Sequence, residues 1–141
     1  MKQYFAIIGI VLVVLFSSGV SFAEKNDIDP IDKEIEDCIK KDSTTSGMEI
    51  CGLKALESWD KELNVAYGKL NKKLDYKAKD NLLKSQRKWI EYRDREYKFI
   101  DNFFYDFQGS MYGAIVIGEK RAIVKQRTLA LRAYMYYLTI K

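Results

Sequence analysis

Apolar side chains recur every three or four residues along three long segments of the chain. The pattern runs from Leu82 to Phe104 and again from Ile117 to Leu138. An earlier segment carries it at Met48, Cys51, Ala55, Trp59, Leu63, Ala66, Tyr67, Leu70 and Leu74. This spacing is that of an amphipathic helix, whereas a strand alternates with a period of two. The pattern therefore predicts three long helices.

A shorter helix is predicted ahead of these three. Pro30 suits the first turn of a helix and Asp29 suits the cap before it, so a helix should run from Pro30 to about Lys41. The sequence DSTTSG at 42–47 interrupts it, and Thr44, Thr45 or Ser46 can cap the next helix.

The sequence marks the two later helix connections unequally. Gln108-Gly109-Ser110 separates the third helix from the fourth. The region between Asp75 and Asp80 has neither glycine nor proline, so the second and third helices are joined there by either a turn or a bend.

The N-terminus has the layout of a secretory signal peptide. Lys2 precedes the apolar run 5–16, and small residues lead to Ala23. Cleavage after Ala23 would leave 24–141 as one domain. The alternative is a retained anchor, because residues 4–23 carry no charge and about 20 helical residues span a bilayer.

The chain has two cysteines, Cys38 and Cys51. An even pair in an exported protein is most simply a disulfide, and closing a loop of about 14 residues is worth roughly 3 kcal/mol. The bridge would join the end of the first helix to the start of the second. The predicted fold is all-α, an up-down bundle of three long helices plus a short N-terminal helix stapled by one disulfide.

Composition excludes several kinds of chemistry. The chain has no histidine, which removes Ser/His and Cys/His nucleophiles and the commonest metal ligand. Without Lys2, 23 basic and 20 acidic residues remain, a formal charge of +3 with the two signs interleaved. Solvated helix faces have this pattern, whereas nucleic-acid binders gather basic residues on one face. We expect no enzyme, no metal, no cofactor and no nucleic-acid partner.

Several short motifs carry a family resemblance. They are Asp37-Cys38, Thr44-Thr45, Met48, Cys51, Trp59-Asp60, Leu63-Asn64, Tyr67 and SQRKWIEYRD at 85–94. With these motifs the chain resembles the LprI-type lysozyme-inhibitor family over roughly 37–132. The resemblance implies a small exported helical domain. It also implies lysozyme inhibition, although most members have no assigned activity.

The chain departs from the family pattern at one disulfide. Members commonly have a further cysteine pair, which by register falls here at Tyr97 and about Glu119. Both cysteines are absent together. We therefore expect the second staple to be missing and Tyr97 to fill its space by packing.

Polar residues interrupt the apolar stripes, or lie beside them, at Asp60, Asn64, Gln86, Arg93 and Arg127. A partly buried guanidinium needs a carboxylate or other acceptors. The first interpretation is a structural hydrogen-bonded network that fixes helix register. The second is an arginine-lined ligand pocket or partner contact.

Aromatic residues cluster at 103–113, the segment that we call the aromatic turn. Adjacent helical residues diverge by about 100°, so these rings cannot all face one core. The rings either cap the end of the bundle or form a partner surface. The partner-binding candidates are Tyr105, Gln108, Ser110, Met111 and Tyr112. A second cluster at 134–137 indicates a homodimer or partner surface on the last helix.

Two functions remain open. One is a periplasmic or secreted inhibitor of lysozyme with no membrane span after cleavage. Animal-type lysozymes are basic, so a charge of +3 gives no long-range steering, but acidic residues such as Glu34, Glu36 and Asp37 could still make contacts. The other is an envelope adaptor or binding module without lysozyme activity.

Overall fold

The computed structural model describes residues 28–140, so the predicted signal peptide at 1–23 lies outside the described residues. Four helices and no strand occur in this range. They are α1 (Pro30–Lys41), α2 (Thr45–Lys73), α3 (Tyr76–Phe104) and α4 (Met111–Thr139). The predicted all-α architecture, with one short and three long helices, is confirmed.

Side-chain caps set the starts of the first three helices. Asp29 accepts the backbone N–H two residues ahead at 3.0 Å, with Pro30 in the first turn. Thr44 accepts an N–H three residues ahead at 3.0 Å, which selects it among the three candidate caps. The Asp75 side chain accepts the backbone N–H of Ala78 at 2.8 Å. Only Leu74 and Asp75 separate α2 from α3, so the break that the sequence left open is a tight turn between two helices and not a bend in one helix.

The helices alternate in direction. Trp59 on α2 lies level with Thr128 on α4, because the Thr128 hydroxyl oxygen is 3.4 Å from the Trp59 carbonyl oxygen. Gly52, earlier on α2, meets Ile117, earlier on α4, so these two helices are parallel. In contrast α3 is antiparallel to α4, because Tyr97 meets Lys120 while the later Phe104 meets Tyr112. The molecule is an up-down bundle.

The core lies mainly between α2 and α4. Its buried members are Trp59, Leu63, Ala66, Leu70, Val124 and Leu131. Leu82, Trp89 and Tyr97 on α3 pack against it but are only partly buried. Helix α3 therefore covers one side of the core and leaves much of its own surface exposed.

The pattern of the last helix needs one correction. Periodicity placed Tyr134 and Leu138 in the apolar stripe, but they are 54% and 41% exposed. Beyond Leu131 the residue of α4 that packs against the core is Met135, so the apolar face continues there rather than at Tyr134 and Leu138. Thr128, which periodicity did not select, is fully buried, and its hydroxyl is satisfied by the Val124 carbonyl at 2.9 Å.

The predicted disulfide is confirmed between Cys38 and Cys51, with Cα atoms 5.8 Å apart. The loop that it spans is folded closely on itself. A Cβ on Gly47 would overlap the side chain and carbonyl of Asp42, so glycine is required there by the close approach of the chain.

Candidate partner-binding surface

The aromatic turn joins α3 to α4 through a reversal at Gly109, whose φ of 118° lies in the region that favours glycine. Ring contacts link both sides of this reversal. The Phe103 and Phe107 centroids are 5.4 Å apart, and those of Phe107 and Tyr112 are 5.0 Å apart. Phe103 remains 52% exposed. The expectation that these rings cannot all face the core is confirmed.

The five partner-binding candidates fall into two groups. Tyr105 is 84% exposed, and Gln108, Ser110 and Met111 are also exposed. Tyr112 is half-buried, because its ring packs against Phe107 and lies 6.0 Å from that of Phe104. Tyr105 is thus available to a partner, whereas Tyr112 also holds the turn together.

A carboxylate from another helix lies beside the start of α4. Ser110 makes no side-chain capping bond there. Glu49 on α2 lies so close to Gly113 that a Cβ would collide with its carboxylate. A negative charge at a helix N-terminus interacts favourably with the helix dipole. The aromatic turn therefore contacts α2 as well as α3, and the hydroxyl oxygens of Thr45 and Ser110 are 3.4 Å apart.

The polar residues of the stripes form separate contacts. Arg127 Nε donates to Gln86 Oε1 at 3.0 Å, and burial lowers the pKa of Arg127 from its ordinary value. Arg93 donates to Asp94 at 2.7 Å and lies 3.8 Å from Asp60.

The fifth polar residue, Asn64, is exposed and donates to the carbonyl of Asp60 within its own helix. The structure therefore brings together the pair Gln86 and Arg127 and the pair Asp60 and Arg93, without joining all five residues.

Each tryptophan lies between two cations. Arg93 and Arg127 lie 5.5 and 6.0 Å from the Trp89 ring. Lys125 and Arg132 lie 5.6 and 5.4 Å from the Trp59 ring. A cation over the face of a tryptophan is attractive, and more so where water is excluded. These cations therefore contribute to packing as well as to ion pairs.

Ion pairs that attach α1 to the bundle were missed by the sequence analysis. Asp29 pairs with Arg132, and Asp32 pairs with Lys125 while accepting from Trp59 Nε1 at 3.3 Å. Burial alone lowers the pKa of Arg132, but hydrogen bonds to Asp29 and Glu62 outweigh this effect and raise it. The sequence signalled Asp29 only as a cap, because partners 93 and 103 residues away leave no local pattern.

Tyr97, which we expected to pack in place of a missing second disulfide, lies at the α3–α4 junction. It packs against the core, and its hydroxyl donates to the Lys120 carbonyl at 3.2 Å. Burial raises its pKa. A hydrogen bond and a packed ring thus join the two helices at this level.

A groove of about 460 Å³ runs beside this junction, between α3 and α4. Its walls include Tyr92, Phe99, Phe103 and Ile123, and its two charged lining residues are Glu96 and Glu119. Within residues 28–140, no three acidic or cysteine side chains converge as metal ligands would. None of the four described helices has the length and apolar character of a membrane span.

The fold and surface define a small disulfide-stapled helical bundle with exposed aromatic residues on the turn between α3 and α4. A family model described as "Lysozyme inhibitor LprI" matches residues 38–131. Because the match covers more than half of the chain, the protein belongs to the LprI lysozyme-inhibitor family.

A solved structure shows the same fold. The crystal structure of an uncharacterized protein from Burkholderia thailandensis is 31% identical, with a TM-score of 0.72 and 79% of this chain covered. The chain spans 56% of the length of that protein. No match was found among curated proteins.

Proposed function

We propose that the protein is an exported, non-enzymatic inhibitor of lysozyme that acts by protein–protein binding. The observation that carries this proposal is the family match over 38–131, which includes the whole of the turn between α3 and α4. The binding surface that we assign is the aromatic turn, centred on Tyr105.

The physical properties of the aromatic turn support this assignment. Tyrosine and methionine are enriched at protein interfaces because they bury a large area. Tyr105 and Met111 are exposed, and the neighbouring rings of Phe107 and Tyr112 pack against each other. A surface that is already ordered loses less conformational entropy on binding.

Charge favours a short-range contact. A mature chain of charge +3 and a basic lysozyme repel each other at long range, so the association rate would not exceed that of neutral pairs. Of the three acidic residues singled out on α1, Asp37 is paired with Lys33 and Lys40. The exposed Glu34 and Glu36 remain candidates for local contacts.

We also propose that residues 1–23 are removed during export and that 24–141 is the mature domain, in the periplasm or outside the cell. The disulfide supports this location, because disulfides persist in oxidising compartments. Intact mass of the exported protein tests the cleavage after Ala23 and the disulfide together. A mass that retains residues 1–23 would indicate an anchor.

A lysis assay tests the inhibitor function. The full-length gene is expressed, the exported protein is purified, and the clearing of a bacterial cell suspension by hen egg-white lysozyme is followed. We expect slower clearing at micromolar protein. A clearing rate that is unchanged at every micromolar concentration of the protein would contradict inhibition of this lysozyme class. Parallel assays with other muramidases would show which of these enzymes the protein inhibits.

The far end of α4 supports a second candidate, an envelope adaptor or homodimer. Tyr134, Tyr136 and Tyr137 are all more than half exposed there. Sedimentation of the wild type and a Tyr136→Ser/Tyr137→Ser variant tests the homodimer, and pull-down from envelope extract tests the adaptor. A monomeric wild type that captures no envelope protein would contradict this candidate.

A further inference from the structure

The α3–α4 groove has one carboxylate on each helix. Tyr97 meets Lys120 across the antiparallel helix pair, and Glu96 and Glu119 directly precede these two residues, so their backbone levels differ by about 3 Å along the helix axes. Both residues line the groove. Within residues 28–140 neither forms an ion pair.

These two carboxylates differ from the other acidic residues on the helix surfaces. Glu57, Asp80 and Glu91 each pair with a lysine three or four residues away. Around Glu119 the positions one turn away are apolar or small, and around Glu96 the one cation is Arg93, which is bound to Asp94. The helices therefore supply no cation to the groove.

Aromatic rings form the rest of the groove wall. Tyr92, Phe99 and Phe103 line it, and the last two rings are 5.7 Å apart. An aromatic face attracts a cation, and a planar guanidinium can stack on a ring while it binds carboxylates. Two carboxylates among exposed rings thus match an arginine side chain better than a lysine or an apolar group.

We propose that the α3–α4 groove binds an arginine side chain on the surface of a basic protein partner. This inference deepens the proposed function, and the identification of the partner as a lysozyme rests on that function. The groove also explains how a domain of net positive charge could bind a basic partner, because the groove itself is lined by acidic residues. The groove adjoins the aromatic turn through Phe103, so one partner can cover both.

A small-molecule titration tests the groove without a lysozyme. The ¹⁵N-labelled exported protein is titrated with N-acetyl-arginine amide and, separately, with the neutral isostere N-acetyl-citrulline amide. We expect saturable shifts at Glu96, Phe99, Glu119 and Ile123 with the arginine compound alone. Shifts that are absent, or equal for the two compounds, overturn the proposal.

Charge-matched variants complete the test. The variant Glu96→Gln/Glu119→Gln should weaken binding of the arginine compound and inhibition of lysozyme, each by about tenfold. The control Glu57→Gln/Glu91→Gln removes the same charge outside the groove and should change neither. Melting temperatures of both variants verify folding.

The two proposals fail in different ways. If the wild type inhibits lysozyme and the groove variant inhibits equally well, the groove inference is overturned and the proposed function stands. If the arginine compound binds the groove but no muramidase is inhibited, the groove binds a guanidinium and the proposed function is wrong.

Discussion

Arg127 Nε donates to Gln86 Oε1 at 3.0 Å, joining α4 to α3 where Gln86 is buried. Arg127 is partly desolvated, and Trp89 lies beside it. This contact fixes the helix pair in rotation and in register, because a shift of one residue on either helix would separate the two groups.

Removing the acceptor should therefore destabilise the fold. Gln86→Met keeps the side-chain length but leaves the partly buried guanidinium short of a partner, at a cost of about 1–3 kcal/mol. For a domain of this size the melting temperature should fall by roughly 4–8 °C per kcal/mol. Gln86→Glu restores an acceptor and should melt above Gln86→Met. Equal melting of all three proteins would contradict the assigned role.

The approach of α4 to α2 depends on a glycine. A Cβ on Gly52 would lie 2.8 Å from Ile117 Cγ2. Gly52→Ala should cost about 1–3 kcal/mol through overpacking, measured by urea unfolding. Gly68→Ala, on the same helix with nothing within 4 Å of its Cβ, should instead be neutral or slightly stabilising. A stabilised Gly52→Ala protein would show that the helices are not packed this closely.

The disulfide should contribute about 3 kcal/mol, because it closes a short loop with a sequence separation of 13. Reduction, or Cys38→Ser/Cys51→Ser, should lower the melting temperature by about 10 °C or more. Far-UV circular dichroism at 25 °C should change little, since Asp29 and Asp32 still hold α1 through ion pairs. Identical melts before and after reduction would be inconsistent with a stabilising bridge.

Acid should weaken the α1–α2 corner. Hydrogen bonds from Lys33 and Lys40 lower the pKa of Asp37, and bonds from Thr44 lower that of Asp42, both from an ordinary value of 3.8. A lowered folded-state pKa gives stability that is complete above the unfolded-state pKa and is lost as pH falls through the folded-state value.

The free energy of unfolding should therefore be flat above about pH 5 and fall below about pH 4. Urea unfolding across this range measures it. Asp42→Asn should reduce the acid dependence, and a wild-type decline that begins near pH 7 would point to other groups.

Local sequence signals predicted the parts of the fold that depend on neighbouring residues. Asp29 was predicted as a cap, Thr44 as one of three candidate caps, and Cys38 with Cys51 as a bridge, because each acts within a few residues or through scarce chemistry. The interhelical pairs of Asp32 with Lys125 and of Glu49 with Gly113 were not found. Such contacts depend on the rotation of each helix about its axis, which periodicity specifies only roughly.

The same limit applies to the candidate surface. Its aromatic composition identified the turn, but only the packing separates the exposed Tyr105 from the half-buried Tyr112. Tyr112→Ser would change stability as well as binding, whereas Tyr105→Ser should leave the melting temperature unchanged. Tyr105 is therefore the sharper probe.

The most direct measurement of the central claim is the concentration of exported protein that halves lysozyme activity, compared between Tyr105→Ser and Tyr76→Ser. Both tyrosines are more than 80% exposed, and they lie near opposite ends of α3, about 43 Å apart for a helix of 29 residues. We predict that Tyr105→Ser raises this concentration at least about tenfold and that Tyr76→Ser leaves it unchanged. Equal inhibition by both variants and the wild type would contradict binding through the aromatic turn.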